Sequence, residues 1–185
     1  LHGVCLAVWQ EADYPGRLAH IYNPPYGLFY RGRIPDWQGK AVSVVGSRNC
    51  TCYGRQAAEH IGRELSAAGV LVISGMAAGI DGAAQKGALQ GAGGTCGVLG
   101  TGVDVCYPAG NRELFGQIAR EGCLVSEYPP HMRPFATNFP QRNRIISGLS
   151  DAVLVVEARE KSGSLITADF ALEQGKDVYA VPGRI

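Results

Sequence analysis

From residue 41 onward, six short apolar runs alternate with five segments of helix length, and this alternation constrains the fold more than any other feature. The runs are rich in β-branched residues and apolar at successive positions, which is typical of strands buried on both faces of a parallel sheet. The runs are residues 41–45, 70–73, 95–99, 123–126, 152–156 and 177–181, and the predicted helices are 53–68, 80–89, 112–120, 142–149 and 165–172. The alternation predicts an α/β fold with a doubly wound, mostly parallel sheet and helices on both faces.

Residues 1–40 do not follow this alternation. The stretch YPGRLAHIYNPPYGLFYRG predicts a short helix, a proline turn and an edge strand that pack on the core. We therefore divide the chain into an N-terminal extension, residues 1–40, and a core, residues 41–185. A length of 185 residues suits one α/β core. Because the chain begins without Met, we expect it to be the ordered core of a longer protein.

Charged residues are distributed unevenly, although the formal net charge is only +1. Between Tyr14 and Ala58 the only acid is Asp36, against six basic residues, and no acid occurs from Tyr128 to Ser150. Segregation of this kind can produce a positive patch on a nearly neutral protein. On charge alone, chance scatter is an equal alternative.

The cysteines and the hydropathy pattern exclude several classes of protein. The six cysteines include no C-x-x-C pair and no zinc-type Cys/His spacing, so we predict no metal site. The sequence has no signal peptide and no apolar run long enough to cross a membrane. We therefore expect a cytoplasmic protein that does not associate with membranes.

Small and hydroxyl-bearing residues follow most of the predicted strands. In open α/β sheets, ligands bind outside the carboxyl ends of the strands, where helix N-termini and glycine loops can bind phosphate. The candidate phosphate-binding residues at this edge are Gly46, Ser47, Arg48, Ser74, Gly75, Gly79, Gly100, Thr101, Gly102, Ser162, Gly163 and Ser164. One such loop is weak evidence, because Ser and Thr also cap helices for structural reasons. Several loops at one edge indicate a phosphate-bearing ligand.

The standard nucleotide and catalytic motifs are absent from the sequence. There is no G-x-G-x-x-G fingerprint that opens a helix and no G-x-x-x-x-G-K-[ST] loop, so NAD or ATP is not expected as a cofactor. No Ser–His–Asp set can be assembled from the scattered histidines. Asp81 and Asp104 follow strands, and for both we favour helix capping and loop hydrogen bonds over catalysis.

Arg142 and Arg144 lie in the first turn of a predicted helix, within the longest acid-free stretch. Arginine is unfavourable at the positive end of a helix dipole, so this placement favours a phosphate above both side chains. The alternative is that they pair with acids distant in sequence, such as Glu127 or Glu157. Phe135 and Phe139 lie nearby and could stack bases of single-stranded nucleic acid, although core packing is an equal alternative.

Five ordered motifs together resemble one known family. VVGSR…YG, SGMAAGIDGAA, GTGVDVCYP, NFPQRNRIISGLSDAVLVVEA and SGSLITADFALEQGKDVYAVPG are similar to segments of the DNA processing protein A (DprA/Smf) family. The resemblance covers essentially the whole chain. It implies an extended Rossmann-like fold, binding and protection of incoming single-stranded DNA in natural transformation, and loading of the recombinase RecA. It also implies a homodimer, no cofactor and no catalytic turnover.

The resemblance also implies a basic DNA pocket at the sheet edge. In this chain the pocket would contain Arg48 of the G-S-R motif, Arg133 in the loop before the F-P-x-R-N-R motif, and Arg142, Asn143 and Arg144 of that motif. Many members have a lysine directly after the YP pair, where this chain has Ala109, and Arg112 could replace that contact.

Two other functions are compatible with the sequence. The region from Gln141 to Glu173 resembles, more distantly, phosphoribohydrolases, in which Arg142 or Arg144 would act with Glu173 on a nucleoside monophosphate. The Ser162–Leu165 loop departs from the P-G-G-x-G-T pattern of those enzymes. The chain could also be a structural dimerisation domain whose basic face only repels or orients partners.

Overall fold

A computed structural model describes residues 3–183 and contains eight strands and five α-helices. The strands are β1 (Cys5–Val8), β2 (Gly27–Gly32), β3 (Ala41–Val45), β4 (Leu71–Ser74), β5 (Thr95–Val98), β6 (Cys123–Ser126), β7 (Ala152–Val155) and β8 (Asp177–Ala180). The helices are α1 (Cys52–Ala67), α2 (Ile80–Ala88), α3 (Arg112–Glu121), α4 (Asn138–Leu149) and α5 (Gly163–Glu173), with 3₁₀ turns at Gly16–His20 and Ala109–Asn111. No helix of this part of the chain is long and apolar enough to cross a membrane.

The eight strands form one sheet in the order β1-β2-β6-β5-β4-β3-β7-β8. Strands β3 to β8 pair in parallel, whereas β1 and β2 add to the β6 edge in antiparallel pairs. Every residue of β4, β5 and β6 is buried, as their continuous apolar sequences predict. The predicted fold class is confirmed.

Connections from β3 run in two directions along the sheet. The chain passes from β3 through β4 and β5 to β6 on one side, then returns to place β7 and β8 on the other side of β3. One hydrophobic cluster joins α1 and α2 to their face of the sheet, and another joins α4 and α5 to the opposite face. The strand order therefore reverses between β3 and β7, which is where doubly wound folds form their ligand crevice.

The N-terminal segment forms a strand that the sequence analysis did not predict. The predicted short helix is a 3₁₀ turn at Gly16–His20, and the predicted strand is β2. In addition, the four-residue β1 pairs with β2 and forms the edge of the sheet. Arg17 ties this segment to the core, because its guanidinium donates to the Leu149 carbonyl at 2.8 Å. The division of the chain at residue 40 stays a prediction. Residues 1–2 of the predicted extension and residues 184–185 of the predicted core lie outside the described residues.

Helix α4 begins four residues earlier than the sequence analysis predicted, at Asn138 instead of Arg142. The proline at position 140 lies in its first turn, where a missing N–H costs no helical hydrogen bond. Arg142 and Arg144 therefore occupy the second turn. The argument that placed both arginines at the positive end of the helix is wrong.

Candidate nucleic-acid interface

A cavity of about 790 Å³ opens at the point between β3 and β7 where the strand order reverses. Its walls come mainly from the loops after both strands, from residues 139–146 of α4 and from the start of α5. Nine of the predicted site residues line it: Gly46, Ser47, Arg48, Phe139, Arg142, Asn143, Ser162, Gly163 and Ser164. The other nine do not: Ser74, Gly75, Gly79, Gly100, Thr101, Gly102, Arg133, Phe135 and Arg144. The structure thus brings together half of the predicted site.

Arg48 is an exposed cation on the cavity wall and lies against an aromatic ring. Its guanidinium carbon is 5.7 Å from the centre of the Phe139 ring. The ring of Tyr107 lies 5.3 Å from the Phe139 ring, tilted by 32°. A cation beside two partly exposed rings is an arrangement that can hold a phosphate and stack a base.

Arg142 is buried under the cavity and supports the loops that form it. The guanidinium donates to the carbonyl of Gly75 at 2.9 Å and also to the carbonyl of Val98. Burial lowers the pKa of Arg142 to about 10, against the opposing effect of the nearby Asp81 carboxylate. Arg142 therefore links α4 to the loop after β4 and to the end of β5, and three hydrogen bonds within the protein already use its donors.

Asp81 lies in the first turn of α2 and is buried, like Arg142. Its carboxylate accepts a hydrogen bond from the Gly75 amide at 3.1 Å. Burial raises the pKa of Asp81, while the positive charge of Arg142 opposes the rise. The predicted loop hydrogen bond of Asp81 is therefore present.

Arg144 forms a partly buried ion pair. Its two terminal nitrogens each lie 2.7 Å from a carboxylate oxygen of Glu127, and its Nε donates to the Asn23 carbonyl at 2.9 Å. The alternative partner Glu127 is thus confirmed for Arg144. A direct contact between Arg144 and phosphate stays a prediction. The geometry disfavours it, because both terminal nitrogens of the guanidinium already donate to Glu127.

Glu157 occupies the start of α1. The Thr51 amide and hydroxyl both donate to the Glu157 carboxylate, at 3.0 Å and 2.8 Å for its Oε2, while the Thr51 hydroxyl caps the amide of Gly54. A carboxylate therefore already lies where the β3–α1 loop was expected to present free N–H groups to phosphate. Ser47 and Arg48 still line the cavity.

The predicted glycines outside the cavity serve close packing. A Cβ at Gly79, whose φ is +79°, would overlap the backbone of Ser47 and Arg48. A Cβ at Gly100 would come within 2.8 Å of the Phe139 ring, so this glycine makes room for the aromatic side chain. Contacts of these glycines with phosphate stay predictions.

The hydroxyls of the last residue of β4 and of the loop after β5 bind backbone carbonyls. Ser74 donates to the Val44 carbonyl at 2.6 Å, and Thr101 donates to the Val105 carbonyl at 2.9 Å. These side chains hold the strand ends in place. Sequence inspection cannot distinguish such a hydroxyl from one that is free for a ligand.

The loop that carries Arg133 and Phe135 lies on the rim of the cavity. Both side chains are exposed, and their neighbours Pro134 and Ala136 line the cavity. Asp104 anchors the loop, because it accepts from the His131 amide at 2.8 Å and pairs with the His131 ring at 2.6 Å. The position suits contact with a ligand that extends beyond the cavity.

Sequence reasoning missed several residues that line the cavity. They include Asn49, Arg159, Glu160, Lys161 and Thr167. Lys161 directly precedes the Ser-Gly-Ser loop, and that proximity could have indicated it. Arg112 does not line the cavity, so its replacement of a contact at Ala109 has no support in the geometry.

Glu173 is not near the cavity. It is the last residue of α5, whereas Ser164 and Thr167 line the cavity from the start of that helix. Ten residues of helix separate Gly163 from Glu173, or roughly 15 Å. The residues of the phosphoribohydrolase alternative are therefore not assembled into one site.

Comparison with known proteins assigns the family. The model of the family DNA recombination-mediator protein A matches residues 5–185. The chain belongs to this family. It is 45% identical over 174 residues to the DNA processing protein DprA of Bacillus subtilis, covering 94% of this chain and 59% of that relative. The chain thus spans about three fifths of the length of this DprA relative.

Two solved structures of DNA processing protein A are similar along almost the whole chain. The protein from Streptococcus pneumoniae superimposes with a TM-score of 0.92 at 42% identity, covering 98% of this chain and 64% of that one. The protein from Helicobacter pylori superimposes with a TM-score of 0.89 at 30% identity, covering 97% and 82%. The latter structure is described as giving insight into a unique single-stranded DNA binding mode.

Proposed function

We propose that this chain binds single-stranded DNA at the cavity between β3 and β7. The position of Arg48 over the Phe139 ring, beside Tyr107, carries the proposal, because it combines a phosphate-binding cation with stacking surfaces. The single-stranded DNA binding described for the Helicobacter pylori relative supports it. The chain acts here as a binding protein without catalytic turnover.

Each group at the cavity has a distinct role in this proposal. Arg48 binds a backbone phosphate, and Phe139 and Tyr107 stack against bases. Arg133 and Phe135 contact the strand where it leaves the cavity. Arg142 and Asn143 hold the surrounding loops in position, since Arg142 donates to Gly75 and Asn143 donates to the Gly163 carbonyl at 3.1 Å.

We also propose a wider role for the whole protein, based on its resemblance to the family. The whole protein protects incoming single-stranded DNA during natural transformation, in the cytoplasm, and helps to load RecA onto it. It acts as a homodimer.

Binding of a fluorescent oligo-dT, followed by anisotropy over a series of salt concentrations, tests the proposal. Arg48→Ala should weaken binding about tenfold or more, as expected for loss of a charged hydrogen bond. It should also reduce the slope of log affinity against log salt by about 0.7. Arg120→Ala is the matched control, because Arg120 is exposed on α3 and does not line the cavity. Equal effects of both substitutions would place the site elsewhere, and no binding by the parent would favour the structural-domain alternative.

A further inference from the structure

The segment that carries Arg48 has no regular secondary structure. It lies between the end of β3 at Val45 and the start of α1 at Cys52. The Arg48 side chain is exposed and forms no salt bridge with any residue from 3 to 183. Its guanidinium lies over the Phe139 ring, 5.7 Å from the ring centre. The direction of this side chain therefore depends on how the backbone of the segment is held.

One residue, Glu157, holds both ends of the segment from just beyond β7. Its carbonyl oxygen accepts a hydrogen bond from the Ser47 amide at 2.7 Å, directly before Arg48. Its carboxylate accepts from the Thr51 amide at 3.0 Å and from the Thr51 hydroxyl at 2.8 Å, directly before α1. Both anchors of the Arg48 segment therefore belong to a single residue that is distant in sequence.

The Ser47 end of the segment is also held from the opposite side. The Ile80 amide donates to the Ser47 carbonyl at 3.2 Å. A Cβ at Gly79 would overlap the carbonyl oxygens of Ser47 and Arg48, so the start of α2 packs closely on this backbone. Loss of the Glu157 carboxylate would therefore release the Thr51 end alone, while backbone hydrogen bonds still hold the Ser47 end.

Gly54, in the first turn of α1, makes room for the Glu157 carboxylate. A Cβ at Gly54 would overlap Oε2 of Glu157 and would lie 3.3 Å from Cδ1 of Ile80. Within a helix, glycine is less favourable than alanine by about 1 kcal/mol. The glycine at this position therefore costs helix stability but allows the carboxylate to reach Thr51.

We propose that Glu157 is the positioning residue for Arg48, and that it raises the affinity of the cavity for single-stranded DNA without touching the DNA. Its carboxylate holds the Thr51 end of the segment, and this keeps the Arg48 guanidinium over the Phe139 ring. The inference rests on the proposed function for the identity of the ligand. Electrostatics alone predicts the opposite effect, because an acid beside a DNA cavity repels phosphate. Positioning and repulsion therefore differ in the sign of the effect.

Substitutions of Glu157 test this sign by oligo-dT affinity. Glu157→Ala should weaken binding about tenfold, as Arg48→Ala does, although it removes a negative charge. Glu157→Gln keeps an oxygen that accepts from Thr51 and should bind within about threefold of the parent. Glu160→Gln is the matched control, because Glu160 is an exposed acid that lines the cavity, and its neutralisation should strengthen binding. Affinity of Glu157→Ala equal to or above that of the parent would overturn the inference.

A double-mutant cycle tests whether Glu157 acts through Arg48. In an Arg48→Ala background, Glu157→Ala should cause no further loss of affinity, because the side chain that it positions is absent. Independent contributions would add to a loss of about a hundredfold in the double variant, and that result would contradict positioning.

Gly54→Ala gives a second route to the same test if Glu157→Ala does not fold. It displaces the carboxylate while Glu157 itself stays in place. It should weaken oligo-dT binding in the parent but not in the Arg48→Ala background. Full affinity of Gly54→Ala, or an equal loss in both backgrounds, would contradict the role of Glu157.

A measurement without DNA separates this inference from the proposed function. The ring current of Phe139 shifts the NMR signal of the Arg48 Nε–H group, so this signal reports the position of the guanidinium. In Glu157→Ala the signal should move towards its position in Phe139→Leu, and an unmoved signal would overturn the inference. If the signal moves but the parent does not bind oligo-dT, only the proposed function fails. If Arg48→Ala weakens DNA binding and Glu157→Ala does not, the inference fails and the proposed function stands.

Discussion

Arg144 and Glu127 form a bidentate ion pair, with both N–O distances at 2.7 Å. Only 9% of the Arg144 side chain and 19% of the Glu127 side chain are exposed. The pair joins the second turn of α4 to the end of β6. Arg144 also binds the Asn23 carbonyl, so it connects the N-terminal segment to the core. These contacts give the F-P-x-R-N-R motif a structural role beside any role in binding.

Removal of one partner of this pair should destabilise the protein strongly. Glu127→Gln leaves the buried guanidinium without its counter-charge, and we expect a loss of about 3 kcal/mol in the free energy of unfolding. Urea denaturation measures this loss. Lys86→Ala breaks the exposed pair with Glu59 and should cost less than about 1 kcal/mol. Similar losses for both substitutions would contradict a structural role for Arg144.

The contact between α1 and α2 should tolerate no added methyl group at its closest point. A Cβ at Gly62 would overlap the Ala84 carbonyl oxygen, and a Cβ at Gly87 would overlap the Glu59 carbonyl oxygen. Gly62→Ala should therefore destabilise the protein by about 1–3 kcal/mol, as other overpacked sites do. Gly116→Ala in α3 is the control, since its Cβ would meet only the end of the Arg120 side chain at 3.4 Å. That substitution should be neutral or stabilise the helix by up to about 1 kcal/mol.

The sheet could be predicted from the sequence because its strands are buried on both faces. Such strands leave continuous apolar runs in the sequence. The carboxyl ends of the runs that form β3, β4 and β5 mark the ligand edge of the sheet. The start of α4 was misplaced because a proline in the first turn of a helix looks like a helix breaker in a sequence. β1 was missed because four residues are too few to establish an alternation.

The site was only partly predictable for a different reason. The sequence shows which residues reach the ligand edge but not which of their polar atoms are already paired. The Ser74 hydroxyl follows an apolar run and looks available for a ligand in the sequence, yet it donates to the Val44 carbonyl at 2.6 Å. The Glu157 carboxylate at the α1 start is 106 residues from Thr51 in sequence. Only the tertiary structure distinguishes an occupied helix start from a free one.

Lys176 should make stability depend on pH in the alkaline range. Burial lowers the pKa of Lys176 to about 8, with the charge of Arg17 as a second cause, from an ordinary value of 10.5. Between these values the unfolded chain binds a proton that the folded protein has released, so folding becomes more favourable as pH rises. The parent should gain stability relative to Lys176→Met from pH 8 to pH 10. Urea unfolding of both proteins across this range checks the sign, and a parallel pH dependence would contradict the lowered pKa.

Phe139 should contribute more to DNA binding than Phe135. Phe139 lines the cavity beside Arg48 and Tyr107, whereas Phe135 is 55% exposed on the rim and does not line it. Stacking of a base on an aromatic ring is worth about 1–3 kcal/mol, so Phe139→Leu should weaken oligo-dT binding about tenfold or more. The salt slope should stay unchanged, because no charge is removed. Phe135→Leu is the matched comparison in the same anisotropy titration, and a larger loss at Phe135 would move the stacking surface from the cavity to its rim.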